Sequence, residues 1–254
     1  MLYHFTNAIV RYPGESVVNG LSKTGLKPNL DLLRREHVAY VETLSKLGLR
    51  VYKLDALEQF PDSVFIEDPA LTFEKGAILL RPGAKTRMGE EIFLKPTLLT
   101  LFDDVQELRV GKVDGGDILL LKNELLIGLS SRTDKNGAEA LKKLLLRLDI
   151  RARIVATPKG VLHLKSDCSI LDEETIFATP KVERSGILKD YKVLVTPNGE
   201  AKAANLLRVN NKILISKGYQ KTAELLAGKY DIEIVDVSEV SKLDAGLSCM
   251  SLRW

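Results

Sequence analysis

The chain has 254 residues, is 45% hydrophobic and 28% charged, and carries a formal net charge of +3. That is enough apolar chain for a sizeable core, built as one large domain or two small ones. Basic residues are scattered rather than clustered, which argues against nucleic-acid binding, and no apolar run reaches the ~18 residues of a membrane span.

Taken in chain order, the first strand is expected within 2–11. A helix follows near 30–47, with Leu33, Val38, Val41, Leu44 and Leu47 at helical spacing, and then a strand over 50–54. At 67–73 a polar turn runs into a short apolar strand. A second strand is expected at 77–81, a helical stretch near 87–102 and a strand over 105–110. The same order recurs from 117–121: a strand over 124–129, a helix near 134–148 carrying Ala138, Leu141, Leu144, Leu145 and Leu148, and a strand over 151–156. A third copy opens at 166–171 and has only 182–188 available for its helix. The fourth opens at 204–209 and continues with a strand over 212–216, a helix near 219–228 and a strand over 232–237. The last polar-turn strand is 248–252, and its missing parts are the elements at the other end of the chain.

The polar-turn strands recur roughly every 40 to 50 residues, a period seen in propellers and solenoids. The chain therefore reads as one α/β domain over residues 1–254. It has five strand-strand-helix-strand units in pseudo-fivefold symmetry, and the last unit is closed by the N- and C-terminal segments. Such closure leaves few open edges. The alternative is an open α/β sheet.

If the polar-turn strands line the axis, their starts converge. They carry Asp62, Glu67 and Asp68; Asp114 and Asp117; His163, Lys165 and Asp167; Asn205; and Asp244 and Cys249. Asp117 and Asp167 also suit simple turn formation, and Cys168 suits a buried small hydrophobe. A thiol attacks as its thiolate, and nearby carboxylates raise its pKa. The arrangement makes sense when the substrate brings a positive charge. A guanidinium is held by paired carboxylates, offsets their charge and presents an electrophilic carbon bearing amines that can leave. Two cysteines are too few for a disulfide scaffold. Three histidines without Cys-x-x-Cys or His-x-x-x-His spacing give no structural-metal signal. The N-terminal residues lack the pattern of a signal peptide, so a cytoplasmic protein with free thiols is expected.

Five segments together resemble the dimethylarginine dimethylaminohydrolase family of the guanidine-modifying (pentein) superfamily. They are 60–68 (FPDSVFIED), 114–117 (DGGD), 128–133 (GLSSRT), 163–165 (HLK) and 246–249 (GLSC). The resemblance spans essentially the whole chain and implies a five-unit α/β propeller. It implies that Cys249 attacks the guanidinium carbon, that His163 is the general acid and then base, and that Asp114 orients His163. It further implies substrate contacts from Leu21, Asp62, Phe65, Glu67, Asp68 and Leu243, with Arg87 and Arg132 on the α-carboxylate. The implied reaction converts Nω-methylated arginine to citrulline and dimethylamine or methylamine through a covalent thiouronium intermediate. Arginine deiminases carry an acidic residue two positions after the histidine. Lys165 stands there in this chain, which favours methylated substrates. The alternatives are a deiminase-like hydrolase of another guanidino substrate and a non-catalytic binding protein on the same fold. No cofactor is implied. Inhibitory zinc at Cys249 and His163 is expected, as is a monomer or homodimer.

Overall fold

Each polar-turn segment becomes one strand of its own three-stranded sheet in the computed structural model, which describes residues 2–254. The first sheet contains β3 (Ala70–Phe73), β4 (Gly76–Leu79) and β5 (Asp104–Glu107). The second contains β6 (Ile118–Leu120), β7 (Leu125–Leu129) and β8 (Ala152–Ala156). The third contains β9 (Cys168–Ile170), β10 (Thr175–Ala178) and β11 (Lys192–Val195), and the fourth β12 (Leu207–Val209), β13 (Lys212–Ser216) and β14 (Asp231–Val235). The fifth joins β15 (Leu252–Arg253) to β1 (Asn7–Arg11) and β2 (Arg50–Leu54). In every sheet the polar-turn strand pairs antiparallel with its neighbour, and that neighbour pairs parallel with the third strand. A parallel pair needs a crossover, and a helix supplies it in each unit. The five small sheets replace the open-sheet alternative.

The helices start where local chemistry favours it. In α1 (Leu30–Lys46) the Asn29 side chain accepts from Leu32 N, and Leu33, Tyr40, Val41 and Leu44 form the buried face. In α3 (Lys135–Arg147) Asp134 caps Gly137 N, and Ala138, Leu141 and Leu145 are buried. The helical stretch expected near 87–102 is instead broken. It has short 3-10 turns at Lys85–Arg87 and Glu90–Phe93, and then α2 (Lys95–Leu101). Gly89 sits at φ 88, which interrupts the helix, and Pro96 lies in the first turn of α2, where its missing N–H costs nothing. The short helices α4 (Pro180–Arg184) and α5 (Gln220–Ala227) complete the third and fourth units.

The polar-turn strands are shorter than expected because the residues before them curl. Gly115–Asp117, Leu164–Ser166, Ala201–Ala204 and Leu247–Met250 each form a 3-10 turn, and residues 66–69 a turn. Backbone groups in these turns have no sheet partner and must bond elsewhere. They bond to the next unit. Gly115 N donates to Asp68 O (3.0 Å), and Leu164 N to Asp117 Oδ1 (2.9 Å). Ser169 Oγ donates to Ala204 O (2.7 Å), Ser248 N to Asn205 Oδ1 (3.3 Å), and Glu67 N to Cys249 O (3.1 Å). The five links close a ring. The polar residues are thus brought together by the closure of the fold itself.

Candidate active site

On one side of this ring lies a cavity of about 200 Å³. It is lined by Leu21, Asp62, Phe65, Asp68, Arg87, Asp114, Arg132, His163, Leu243 and Cys249, and also by Asp244 and Ala245. Ten of the eleven residues singled out in the sequence therefore share one cavity; Glu67 does not.

Cys249 ends up half-buried near the close of the 247–250 turn. Burial pushes its thiol up, as do the carboxylates of Glu67 and Asp68, to about 11. His163 precedes the 164–166 turn, and its Nε2 is 2.9 Å from Asp114 Oδ2. No hydrogen bond to its Nδ1 is made among the described residues. Burial alone would lower the imidazole pKa, but Asp68, the Asp114 hydrogen bond and Asp117 raise it to about 9. The ring lies on Gly116, where an added Cβ would stand 2.7 Å from Nδ1. That close approach is what the 114–117 DGGD motif provides. Asp114 is itself fixed, since its Oδ1 accepts from Gly83 N at 2.6 Å.

Asp68 is 7% exposed. Burial opposes its charge, but His163 and Arg87 hold its pKa down. Its Oδ1 accepts from Gly116 N (3.0 Å) and its Oδ2 from Arg87 Nη1 (2.5 Å). Asp62 accepts from Leu21 N at 2.9 Å, which fixes the loop carrying Leu21 over the cavity. The same loop is tied down by Ser22 Oγ to Lys242 O (2.7 Å) and Lys23 N to Asp244 Oδ2 (2.5 Å). Leu243 packs in the facing 240–243 turn and is 4% exposed. Phe65 forms part of the wall.

Three placements differ from the sequence expectation. Glu67 is buried but turns to the far side of the ring. There it bonds Lys165 Nζ (2.7 Å), Arg253 Nη2 (3.0 Å) and Ser248 Oγ (3.2 Å). Adjacent residues in a turn point in different directions, so Glu67 and Asp68 cannot both grip one guanidinium here. Lys165 follows Glu67 and lines a second cavity of about 160 Å³ together with residues of all five polar-turn strands. It therefore does not shape the catalytic cavity directly. Arg87 is not a free carboxylate receptor. Its Nε and Nη2 grip Glu90 (2.7 and 2.6 Å), Nη2 also bonds Phe65 O (2.9 Å), and Nη1 holds Asp68. Four of its five N–H groups are thus engaged. Arg132, half-buried in the loop after β7, makes no side-chain hydrogen bond or ion pair among the described residues.

Two further residues support the site. Glu90 (2% exposed) braces Arg87 and hence Asp68; the Arg-x-x-Glu spacing on a helical turn was the available signal. Asp117, fully buried, accepts from Ser130 Oγ (2.6 Å), Thr133 Oγ1 (2.7 Å) and Leu164 N (2.9 Å). It ties the Arg132 loop to the His163 turn rather than merely forming a turn.

The arginine deiminase family profile matches residues 55–215. The chain is 34% identical to the N(G),N(G)-dimethylarginine dimethylaminohydrolase of Pseudomonas aeruginosa, over 98% of this chain and 100% of that protein. Two solved structures of that type of enzyme superimpose closely. A cysteine-to-serine variant from Pseudomonas aeruginosa complexed with citrulline gives a TM-score of 0.95 at 33% identity, covering 99% of this chain and 100% of the other. A histidine-to-glycine variant, as an adduct with S-methyl-L-thiocitrulline, gives 0.94 at 33% identity, covering 98% and 100%.

Proposed function

The chain belongs to the dimethylarginine dimethylaminohydrolase family, and from that premise we propose how its own residues carry out the family's reaction. The protein is a hydrolase that acts on the C–N bond of an amidino group and converts Nω-methylated arginine to citrulline. The observation that carries the residue assignments is one small cavity holding a thiol, an imidazole–carboxylate pair and a second, charged carboxylate.

The substrate guanidinium docks on Asp68 and brings its cation beside the Cys249 sulfur. That charge offsets the carboxylates and favours the thiolate. Sγ attacks the guanidinium carbon and forms the C–S bond. His163 gives its proton to the methylated nitrogen, the C–N bond breaks and the amine leaves. The neutral imidazole then takes a proton from water, the new C–O bond forms, the C–S bond breaks, and the second oxygen proton passes to solvent as the ureido carbonyl forms. Citrulline departs and the sulfur keeps the electron pair. Asp114 holds the imidazole through Nε2 during both transfers. Arg132, with its fork of donors free, binds the α-carboxylate. Asp62, Leu21, Phe65 and Leu243 close around the aliphatic stem and the amino end.

The test is citrulline release from asymmetric dimethylarginine, with monomethylarginine and free arginine in parallel. Release from the methylated substrates alone is expected. Release from arginine alone would make the chain a deiminase, and silence on all three would return it to the non-catalytic reading.

We further propose that zinc inhibits by bridging Cys249 and His163. Both residues line the same cavity, and thiolate and imidazole are competent zinc ligands. Low-micromolar zinc should suppress turnover, and unchanged turnover there removes the idea. No helix among the described residues is long and apolar enough to cross a membrane. A single-domain, cytoplasmic monomer or homodimer completes the proposal.

A further inference from the structure

Asn205 ends the 201–204 turn of the fourth unit, is 8% exposed and was not absorbed by the reaction above. Its Nδ2 lies 3.7 Å from Cys249 Sγ, and no other side chain among the described residues is hydrogen-bonded to that sulfur. The two ends of a carboxamide are normally hard to tell apart, but here chemistry decides. Ser248 N, 3.3 Å away, is a donor and needs the amide oxygen, so the nitrogen must face the thiol. The plane of the amide is fixed as well. Gly246 lies flat against it, and a Cβ there would stand 2.6 Å from Asn205 Cγ.

We propose that Asn205 is the thiolate-stabilising donor of the site, hydrogen-bonding Cys249 whenever the sulfur carries charge. This rests on Cys249 being the nucleophile. A neutral donor is what the cavity requires. Lys or Arg at this position would pair with Asp68 and compete with the cationic substrate, whereas an amide stabilises the sulfur anion without adding charge. At 3.7 Å the bond to a neutral thiol is weak, and it tightens as charge develops. The sulfur is anionic twice: just before it attacks, and again when the C–S bond breaks and the electron pair returns to it. The donor therefore assists both entry to and exit from the covalent intermediate. Asn205 also lines a neighbouring cavity of about 250 Å³, so losing its side chain would open the back of the thiol to that space.

The experiment measures the rate of alkylation of Cys249 by iodoacetamide between pH 7 and 10.5, the rising limb of its titration below about 11, with the labelled residue located by mass spectrometry. The same proteins are assayed for kcat and KM on asymmetric dimethylarginine. In Asn205→Ala the titration should move up by about one unit. At pH 8 the observed alkylation should slow about threefold, because tenfold less thiolate is partly offset by its greater nucleophilicity. The kcat should fall about tenfold with KM within about twofold, as Asn205 touches no substrate. Asn205→Asp is isosteric, keeps the bond from Ser248 N and replaces the donor by a carboxylate. It should shift the titration at least as far, and it answers the question if the alanine variant fails to fold. Titrations that superimpose on the parent in both variants overturn the proposal, as does a raised KM at unchanged kcat. Cys249→Ser, run alongside, tests the underlying reading separately. Unaltered turnover in that variant would displace Cys249 as the nucleophile and overturn that reading together with the proposal, whereas superimposed titrations of the Asn205 variants overturn the proposal alone.

Discussion

Cys249→Ser should abolish citrulline release, with a fall in kcat on the order of 10⁴ to 10⁶-fold, the range seen when a covalent nucleophile or its partner is lost. The reason lies in the surroundings of the sulfur. Burial, Glu67 and Asp68 push the thiol to about 11, so at neutral pH about one free enzyme molecule in 10⁴ carries thiolate. In the proposed mechanism the substrate delivers the compensating cation. A hydroxyl is a far weaker acid than a thiol, and the same cation cannot ionise it to a useful extent. The parent enzyme should be labelled faster by a cationic haloacetamidine than by neutral iodoacetamide, and asymmetric dimethylarginine should protect it. Cys168 serves as the internal comparison. It is fully buried, its thiol is pushed up further by burial, and it donates to Leu164 O at 3.3 Å. Cys168→Ala should keep kcat within a few-fold. Citrulline release by Cys249→Ser within tenfold of the parent would remove the covalent mechanism.

The repeat made most of the architecture legible. Once five polar-turn strands were recognised, the placement of Cys249 and His163 at equivalent ends followed, because each unit puts the same residue at the same point on the axis. Side-chain direction within the turns was not legible. Glu67 and Asp68 look like a matched pair in sequence, yet the 66–69 turn sends one to Lys165 and Arg253 and the other to the cavity. Arg87 and Glu90 stand at a spacing that a helix would also pair; what was not legible is that both are buried and that Arg87 also reaches Asp68 and Phe65 O. Asp117 looked like a turn former because nothing local shows that Ser130, Thr133 and Leu164 will converge on it. These contacts depend on closing the ring, which is a property of all five units and of none alone.

Glu67 has a consequence for the electrostatics. Two cations, Lys165 and Arg253, face its single carboxylate. They offset part of its charge behind Cys249, while Asp68 and Asp62 face the cavity. The deiminase-type acidic residue has no counterpart on the catalytic side at this position, since Lys165 is engaged on the other side of the ring. Lys165 therefore gives no direct ground for a preference between methylated and free arginine.

His163, the proposed general acid, is the second point at which a single change should be severe. His163→Gly should lower kcat on asymmetric dimethylarginine by about 10³-fold, because a dialkylamine leaves only with a proton on its nitrogen. The same variant should still form a covalent adduct with S-methyl-L-thiocitrulline, since a methylthiolate leaves without being protonated first. In the parent, His163 is raised to about 9 by Asp68, the Asp114 hydrogen bond and Asp117, against the effect of burial. The sign follows directly. A raised pKa keeps the imidazolium populated through neutral pH, and the proton is lost as pH rises through about 9. In the complex, where the bound cation favours the thiolate, kcat should therefore fall above about pH 9, approaching tenfold per unit, whereas kcat/KM should level off there because growing thiolate in the free enzyme offsets the lost imidazolium. Asp114→Asn removes one source of the shift, so its alkaline limb should begin at lower pH. A kcat that stays flat to pH 10 would show that His163 does not act as the acid. So would a glycine variant that loses adduct formation as completely as it loses hydrolysis while its Cys249 still alkylates normally. The two substrates separate proton delivery from attack, which a loss of activity on dimethylarginine alone cannot do.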